Sequence, residues 1–409
     1  MTNKIICPDI GEYMVPFVRF IRRPEGRELA KSYICGLVIE GERKSVEPMS
    51  ARVNASERGM QKLLTQVKFD EAGILSCFQD MMLERTADPM GIFVYDDTGF
   101  PKKGKESVCV ARQYCGASGK TDNCQIGVSM TYIGQGVAWP YKMDLFVPKS
   151  WDSDNAECIS RRKKTKMPDE LHHREKWRIV LDQLDEANAK GVPHAAVVAD
   201  SWYGDIPEFR EELVKRGENY IVGVHSDTRI VLEAPTDTQL LSAKKKRGRP
   251  RKKPMRPVIS NPIKVSELGK AIADDAWEQL ELRQNSRNKP LMVEAVSRRV
   301  YPAHGWSNGK RHDELWLLIE RRHESGGDFE LRYFFSNMPP TMSTLNLAKF
   351  NHMRYWIEHG YQQLKGELGL DHHEGRSWTG WHRHVLFTFL AFGYLTLARL
   401  DSVKKNSKI

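Results

Sequence analysis

The chain has 409 residues, 40% apolar and 28% charged, with a formal net charge of +10. That balance excludes a disordered or collagen-like polymer and gives room for two or three domains with their own cores. Seven cysteines with no C-x-x-C pair argue against a disulfide framework or a thiolate zinc site, and the basic excess favours a polyanionic partner.

No apolar stretch in the sequence reaches the roughly 18–20 residues of a spanning helix. The opening Met1-Thr-Asn-Lys-Ile-Ile-Cys7-Pro lacks the long apolar core of a secretory signal. We therefore expect the protein to stay in the cytoplasm, with no membrane partner.

Residues 10–86 carry apolar positions at three- and four-residue spacing and read as helical. Strand patterns follow at 91–96, 125–133 and 137–147. An amphipathic helix is expected over 169–190, with Trp177, Val180, Leu181, Leu184 and Ala187 on one side. It stops before Gly191-Val-Pro193. A buried strand over 194–200, a helix over 206–216 and a short strand over 220–224 complete this part. A three-stranded meander followed by crossover units predicts an α/β fold: a ribonuclease-H-like mixed sheet with helices on both faces.

The pattern changes from about 226 to 340. Further strands are expected at 290–300, 314–321 and 331–336, so this stretch reads as a mostly β insertion subdomain. Within it, residues 244–257 (KKKRGRPRKKPMRP) hold nine Lys or Arg and no acid. Helix returns over 343–367, and 381–400 forms a strongly apolar helix. The expected division is a helical N-terminal DNA-binding domain (1–88) and a first core part (89–226). The insertion (227–340), a C-terminal helical core part (341–402) and a tail (403–409) follow.

Two acids close apolar runs. Asp96 ends Gly91-Ile-Phe-Val-Tyr95, and Asp200 ends Ala195-Ala-Val-Val-Ala199. Each is equally readable as a strand terminator or a helix cap. Asp96 directly continues its buried run, which favours it over Asp97, although Asp97 remains a rival first acid. Lys102, Lys103 and Lys105 follow as phosphate contacts or as a solvated loop. Asp205 or Ser201 offers an alternative cap, leaving Asp200 available for another role.

A third acid, Glu358, lies in the expected helix with Arg354 and Lys365 at i−4 and i+7, on nearly one face. Carboxylates from two strand ends and a helix suit a pair of Mg²⁺ ions about 3.5–4 Å apart.

The run Asn351-x2-Arg354-x3-Glu358-x6-Lys365 resembles the Y-x2-R-x3-E-x6-K motif of bacterial insertion-sequence transposases of the DDE type, with Asn351 in place of tyrosine. The strings VYDDTGFPKKGK, VARQYCGASGKTDNCQIGVSMTY, ADSWYGD and KGELGLDHHEGRSWTGWHRHV are similar to blocks of one subgroup of that family, in order along the chain. The resemblance implies a ribonuclease-H-like core whose catalytic and metal-binding residues are Asp96, Asp200 and Glu358. It implies two Mg²⁺ ions, with Mn²⁺ as a substitute, and phosphate contacts from Arg354, Lys365 and Asn351. The implied partners are transposon terminal inverted repeats, target DNA and a second copy in a homodimeric synaptic complex, on the bacterial nucleoid. An inactive DNA-binding relative, or a nuclease that joins no strands, are the alternatives.

Lys246-Arg247-Gly248-Arg249-Pro250 resembles an AT-hook, an extended Arg-Gly-Arg core for the narrow A·T minor groove; a basic loop on any phosphate backbone is the alternative. His372, His373, His382 and His384 lack the spacing of a zinc site and read as polar or DNA contacts. Trp378 and Trp381 read as core residues or base-stacking platforms.

Overall fold

The computed structural model describes residues 9–234, 240–241, 258–259, 261–284, 290–303, 313–323 and 329–406. The hook-like segment, with Arg247, Gly248 and Arg249, lies outside the described residues. Two compact units emerge: Met1–Gly91, Tyr95–His194 and Trp356–Ile409 form unit 1, and Ile92–Val94 with Ala195–Tyr355 form unit 2.

Unit 1 opens with helices, as the periodicity predicts. The principal ones are α1 (Pro24–Val38), α2 (Glu57–Thr65) and α3 (Glu71–Thr86). Pro24 sits at the first position of α1, where its missing N–H costs nothing. Ser56 and Asp70 cap α2 and α3 by accepting from the amides of Gly59 (3.0 Å) and Gly73 (2.9 Å).

The meander follows as β1 (Ile92–Pro101), β2 (Ala111–Cys115), β3 (Lys120–Gly134) and β4 (Val137–Leu145). Ile92, Phe93, Val94 and Tyr95 are fully buried, which is why β1 reads as a continuous apolar run. Both β2 and β4 pair antiparallel with β3, which also neighbours β1. Two helices complete this stretch, α4 (Ala156–Thr165) and α5 (Lys176–Ala189).

The helix expected over 169–190 thus begins seven residues later. Arg162 explains the delay. Its buried guanidinium takes the carbonyls of Trp151 (3.0 Å), Pro168 (2.9 Å), Asp169 (3.0 Å) and Leu171 (2.7 Å), so the residues before Lys176 cannot use theirs in a helical ladder.

Unit 2 carries β5 (Ala196–Ala199), α6 (Ser201–Gly204), α7 (Pro207–Lys215), β6 (Tyr220–Val224) and β7 (Arg229–Val231). Next come β8 (Ile263–Lys264), β9 (Glu278–Gln284), β10 (Pro290–Pro302), β11 (Leu315–His323), β12 (Phe329–Ser336) and α8 (Thr344–His352). Its sheet runs β8-β7-β10-β11-β12-β6-β5, with β9 on β10. β5 and β6 are parallel, whereas the pairings through β12, β11 and β10 are antiparallel. The result is the expected mixed α/β architecture, a large mixed sheet with helices.

The single helix expected over 343–367 is broken. α8 ends at His352, Met353 and Arg354 form a turn, and α9 (Tyr355–Gln362) starts anew before a π-helical turn at Gln363–Glu367. The amides of Met353 and Arg354 bond three residues back, to Phe350 (3.2 Å) and Asn351 (3.1 Å), a helix ending rather than a continuation.

The last helix, α10 (Trp378–Asn406), corrects the reading of apolar stretches. Its segment Trp378–Ser402 is long and apolar enough to cross a membrane by length and composition, yet 56% of the window is buried inside the protein. It packs on α1, α2 and α3, where Phe387 meets the rings of Tyr33 (5.3 Å) and Phe69 (5.9 Å). Buried Arg383 donates to Glu71 (2.7 Å) and to the Leu63 carbonyl (2.9 Å). α10 is therefore the core helix of unit 1.

Candidate active site

β1 runs on through Pro101, so the expectation that Asp96 closes its strand is corrected: Asp96 and Asp97 lie midway along it, adjacent carboxylates that alternate across the strand. Asp97 is ion-paired with Lys176 at the start of α5, at 2.5 Å. Asp96 takes a different role: its Oδ1 accepts from the Asp97 amide at 2.8 Å. Both are half-buried.

α9 and its π turn are stitched to this part of β1. The hydroxyls of Tyr361 and Ser129 bond each other, and each lies 3.3 Å from the Asp96 carbonyl oxygen. Lys365 donates to the Gly99 carbonyl at 2.8 Å and lies 5.3 Å from the centre of the Phe100 ring. Burial lowers the Lys365 pKa, partly offset by Asp371, Cys115 and Asp96. Gly99 is required by close approach, because a Cβ there would sit 2.4 Å from Cys115 Sγ. Glu358 stands one turn before Tyr361 on α9 and is exposed. Asp96, Glu358, Tyr361 and Lys365 all belong to unit 1.

Asp200 belongs to unit 2, and there the capping alternative holds. Its Oδ1 accepts from the amides of Trp202 (3.0 Å) and Tyr203 (3.3 Å), capping the short α6. Asp205, the sequence's rival cap, instead bonds Thr228 (2.7 Å) and His225. The sequence reading that leaves Asp200 uncommitted is therefore corrected: one of its oxygens caps a helix.

Asn351 also departs from expectation. It is buried and donates to Glu320 Oε1 at 3.0 Å, while His352 Nε2 meets Glu320 Oε2 at 3.1 Å. It lies inside unit 2, where its amide is engaged as a polar tie between α8 and β11. Arg354 sits in the turn after α8, so the break removes the single continuous helix face expected for Arg354, Glu358 and Lys365. Among the described residues, no three His, Cys, Asp or Glu side chains gather closely enough to hold a metal ion.

A family model described as DDE superfamily endonuclease matches residues 16–289. The chain belongs to the DDE superfamily endonucleases. The matched stretch contains Asp96 and Asp200 and ends before Glu358. The chain is 22% identical over 336 residues to a probable transposase for insertion sequence element IS701 from Microchaete diplosiphon, covering 82% of this chain and 73% of that one. A solved structure, the cryo-EM piggyBac transposase synaptic complex with hairpin DNA, aligns over 99% of this chain and 75% of its own with 10% identity and a TM-score of 0.42.

In this chain the histidine group is structural. His384 bonds the Tyr33 hydroxyl (2.8 Å) and approaches the Gly369 (3.0 Å) and Leu370 (3.2 Å) carbonyls. Burial pushes its pKa down to about 4. His373 stacks on it at 5.1 Å and is likewise pushed well below the usual histidine value by burial. His372 Nδ1 accepts from the Lys44 amide (2.9 Å), and His382 bonds the Trp378 carbonyl (3.0 Å). Trp381 is buried edge-on to Phe100 at 5.7 Å, a core residue. Trp378 packs on the His382 ring at 4.2 Å.

Lys102 and Lys103 separate in the structure. Lys102 is half-buried, donates to the His373 carbonyl at 2.6 Å and has its pKa lowered by that burial. Lys103 is exposed beside an open cleft of about 680 Å³ that begins at Pro101, the last residue of β1. Sequence reasoning singled out neither Ser129, which lies unmarked inside the block VARQYCGASGKTDNCQIGVSMTY, nor Lys176, which stands in no motif.

Proposed function

We propose that this DDE endonuclease is an insertion-sequence transposase that cleaves DNA at transposon ends and joins the freed strand to target DNA. Asp96, Asp200 and Glu358 would hold two Mg²⁺ ions, for which three carboxylates supply the hard oxygen donors such ions select. When bound, the ions lower the pKa of the attacking hydroxyl or water and stabilise the leaving oxygen.

The observation that carries this reading is the double tie between α9 and β1. Tyr361 at the Asp96 carbonyl and Lys365 at the Gly99 carbonyl hold the helix bearing Glu358 against the strand bearing Asp96. The ion pair of Asp97 with Lys176 supports Asp96 as the first ligand, since Asp97's charge is already met. Capping through Oδ1 leaves the second Asp200 oxygen to serve a metal. Arg354 serves phosphate as a planar fork, while Lys365 acts first by positioning the strand end. Terminal inverted repeats and target DNA are the substrates, and a homodimer pairs the two ends.

The test is a gel assay with end-labelled transposon-end DNA. Glu358→Ala is expected to lower Mg²⁺-dependent cleavage by more than about 10³-fold, several kcal/mol of transition-state stabilisation, with DNA binding nearly unchanged. Cleavage at the wild-type rate would overturn the assignment. Cleavage without joined product would reduce the activity to that of a nuclease.

A further inference from the structure

A second basic surface lies near the β1 end, apart from the hook-like segment. Residues 158–168 (CISRRKKTKMP), spanning most of α4 and the turn after it, hold five cations and no acid. Arg162 turns inward, as described above. Lys163, Lys164 and Lys166 are exposed, and among the described residues none of them has an ion-pair partner.

Arg161 joins α4 to the neighbouring loop. It stacks over the Trp151 ring at 4.1 Å and donates to the Lys105 carbonyl at 3.2 Å. That loop carries Lys103 and Lys105, both exposed, and its end is fixed by the Val108 amide on the Arg376 carbonyl at 2.9 Å. Lys103 and exposed Arg376 line the same open cleft.

Cations at the end of a helix also stabilise its macrodipole. That accounts for the last turn of α4 alone. It leaves unexplained the exposed cations of the 102–107 loop, which Arg161 ties to α4, and that of Arg376, whose carbonyl holds the end of this loop. Acids of the cleft are Glu42, Glu106, Asp371 and Glu374, of which Glu374 pairs with Arg43.

We propose that α4, the 102–107 loop and Arg376 form a seat for the phosphate backbone of duplex DNA, read without regard to base sequence. The inference deepens the transposase reading by naming where a duplex of unspecified sequence rests. Flexible lysine ammoniums act as point charges on phosphates and carry no base code, which suits such a duplex.

The test measures binding of the full chain to a duplex of unrelated sequence, in EDTA, across a salt series. Lys163→Glu with Lys164→Glu is expected to weaken binding at least tenfold at low salt. It should make the slope of log affinity against log salt shallower by about 2, since each phosphate contact contributes about 0.9. Lys163→Arg with Lys164→Arg should keep the wild-type slope, and unchanged thermal melting shows that the variants fold. An unaltered slope and affinity in the glutamate variant would overturn the proposal. The readout needs no metal and no cleavage, so it stands whether or not Glu358 proves catalytic.

Discussion

Asp96 and Asp200 look alike in sequence, each an acid after four or five buried residues, yet their surroundings differ. Within β1 the backbone at Asp96 and Gly99 is held from outside, by Tyr361 and Lys365 reaching from α9 and the π turn some 260 residues away along the chain. At the end of β5 the side chain itself does local work, capping α6 within three residues. The mid-strand acid is positioned by tertiary ties and the acid after β5 by its own carboxylate. A capping role and a metal-binding role are therefore compatible at Asp200, because a carboxylate has two oxygens.

The largest effects are expected where the two acids are exchanged for amides. Asp96→Asn and Asp200→Asn should each abolish cleavage, by more than about 10³-fold, because a neutral amide is a far poorer ligand for a hard cation. Asp97→Asn should cost less than about tenfold, since it removes a partner of Lys176 and no proposed metal ligand. Asparagine also caps helices, so Asp200→Asn should melt like wild type, whereas Asp200→Ala should lose about 1 kcal/mol. Cleavage surviving in Asp200→Asn would reduce Asp200 to a cap and break the comparison.

A smaller effect separates the two regions by pH. The segment after the π turn leans on His384, held neutral by burial with a pKa of about 4. Unfolded, the same histidine takes up its proton near 6.5. Its contribution to stability is thus fully present above about 6.5 and is lost as the pH falls toward 4. Denaturant unfolding should show a loss of about 2 kcal/mol from His384 between pH 7 and pH 5. His384→Asn should remove that share of the dependence and leave the part carried by His373, whereas Asp200→Asn should leave it intact.

Much of this architecture is legible in the sequence. The buried runs of β1 and β5, the amphipathic face of α5 and the apolar α10 announce themselves by period and composition. What fails is whatever depends on distant partners. The late start of α5 follows from one guanidinium collecting four carbonyls, which no local pattern in 169–175 reveals. The break at Met353–Arg354 and the π turn that brings Lys365 to Gly99 are likewise silent in a helical periodicity. Asn351 illustrates the reverse risk. Its place in a family motif suggests phosphate, whereas its burial against Glu320 assigns it to packing.

The central claim is that Asp96, Asp200 and Glu358 together hold the metal ions. It is tested most directly by counting Mn²⁺ bound to the DNA-loaded protein with electron paramagnetic resonance, in wild type and in Asp96→Asn, Asp200→Asn and Glu358→Gln. The account expects about two ions per active site in wild type and fewer in each variant. A variant that keeps the wild-type count would contradict the role given to its residue, and three such variants would contradict the site.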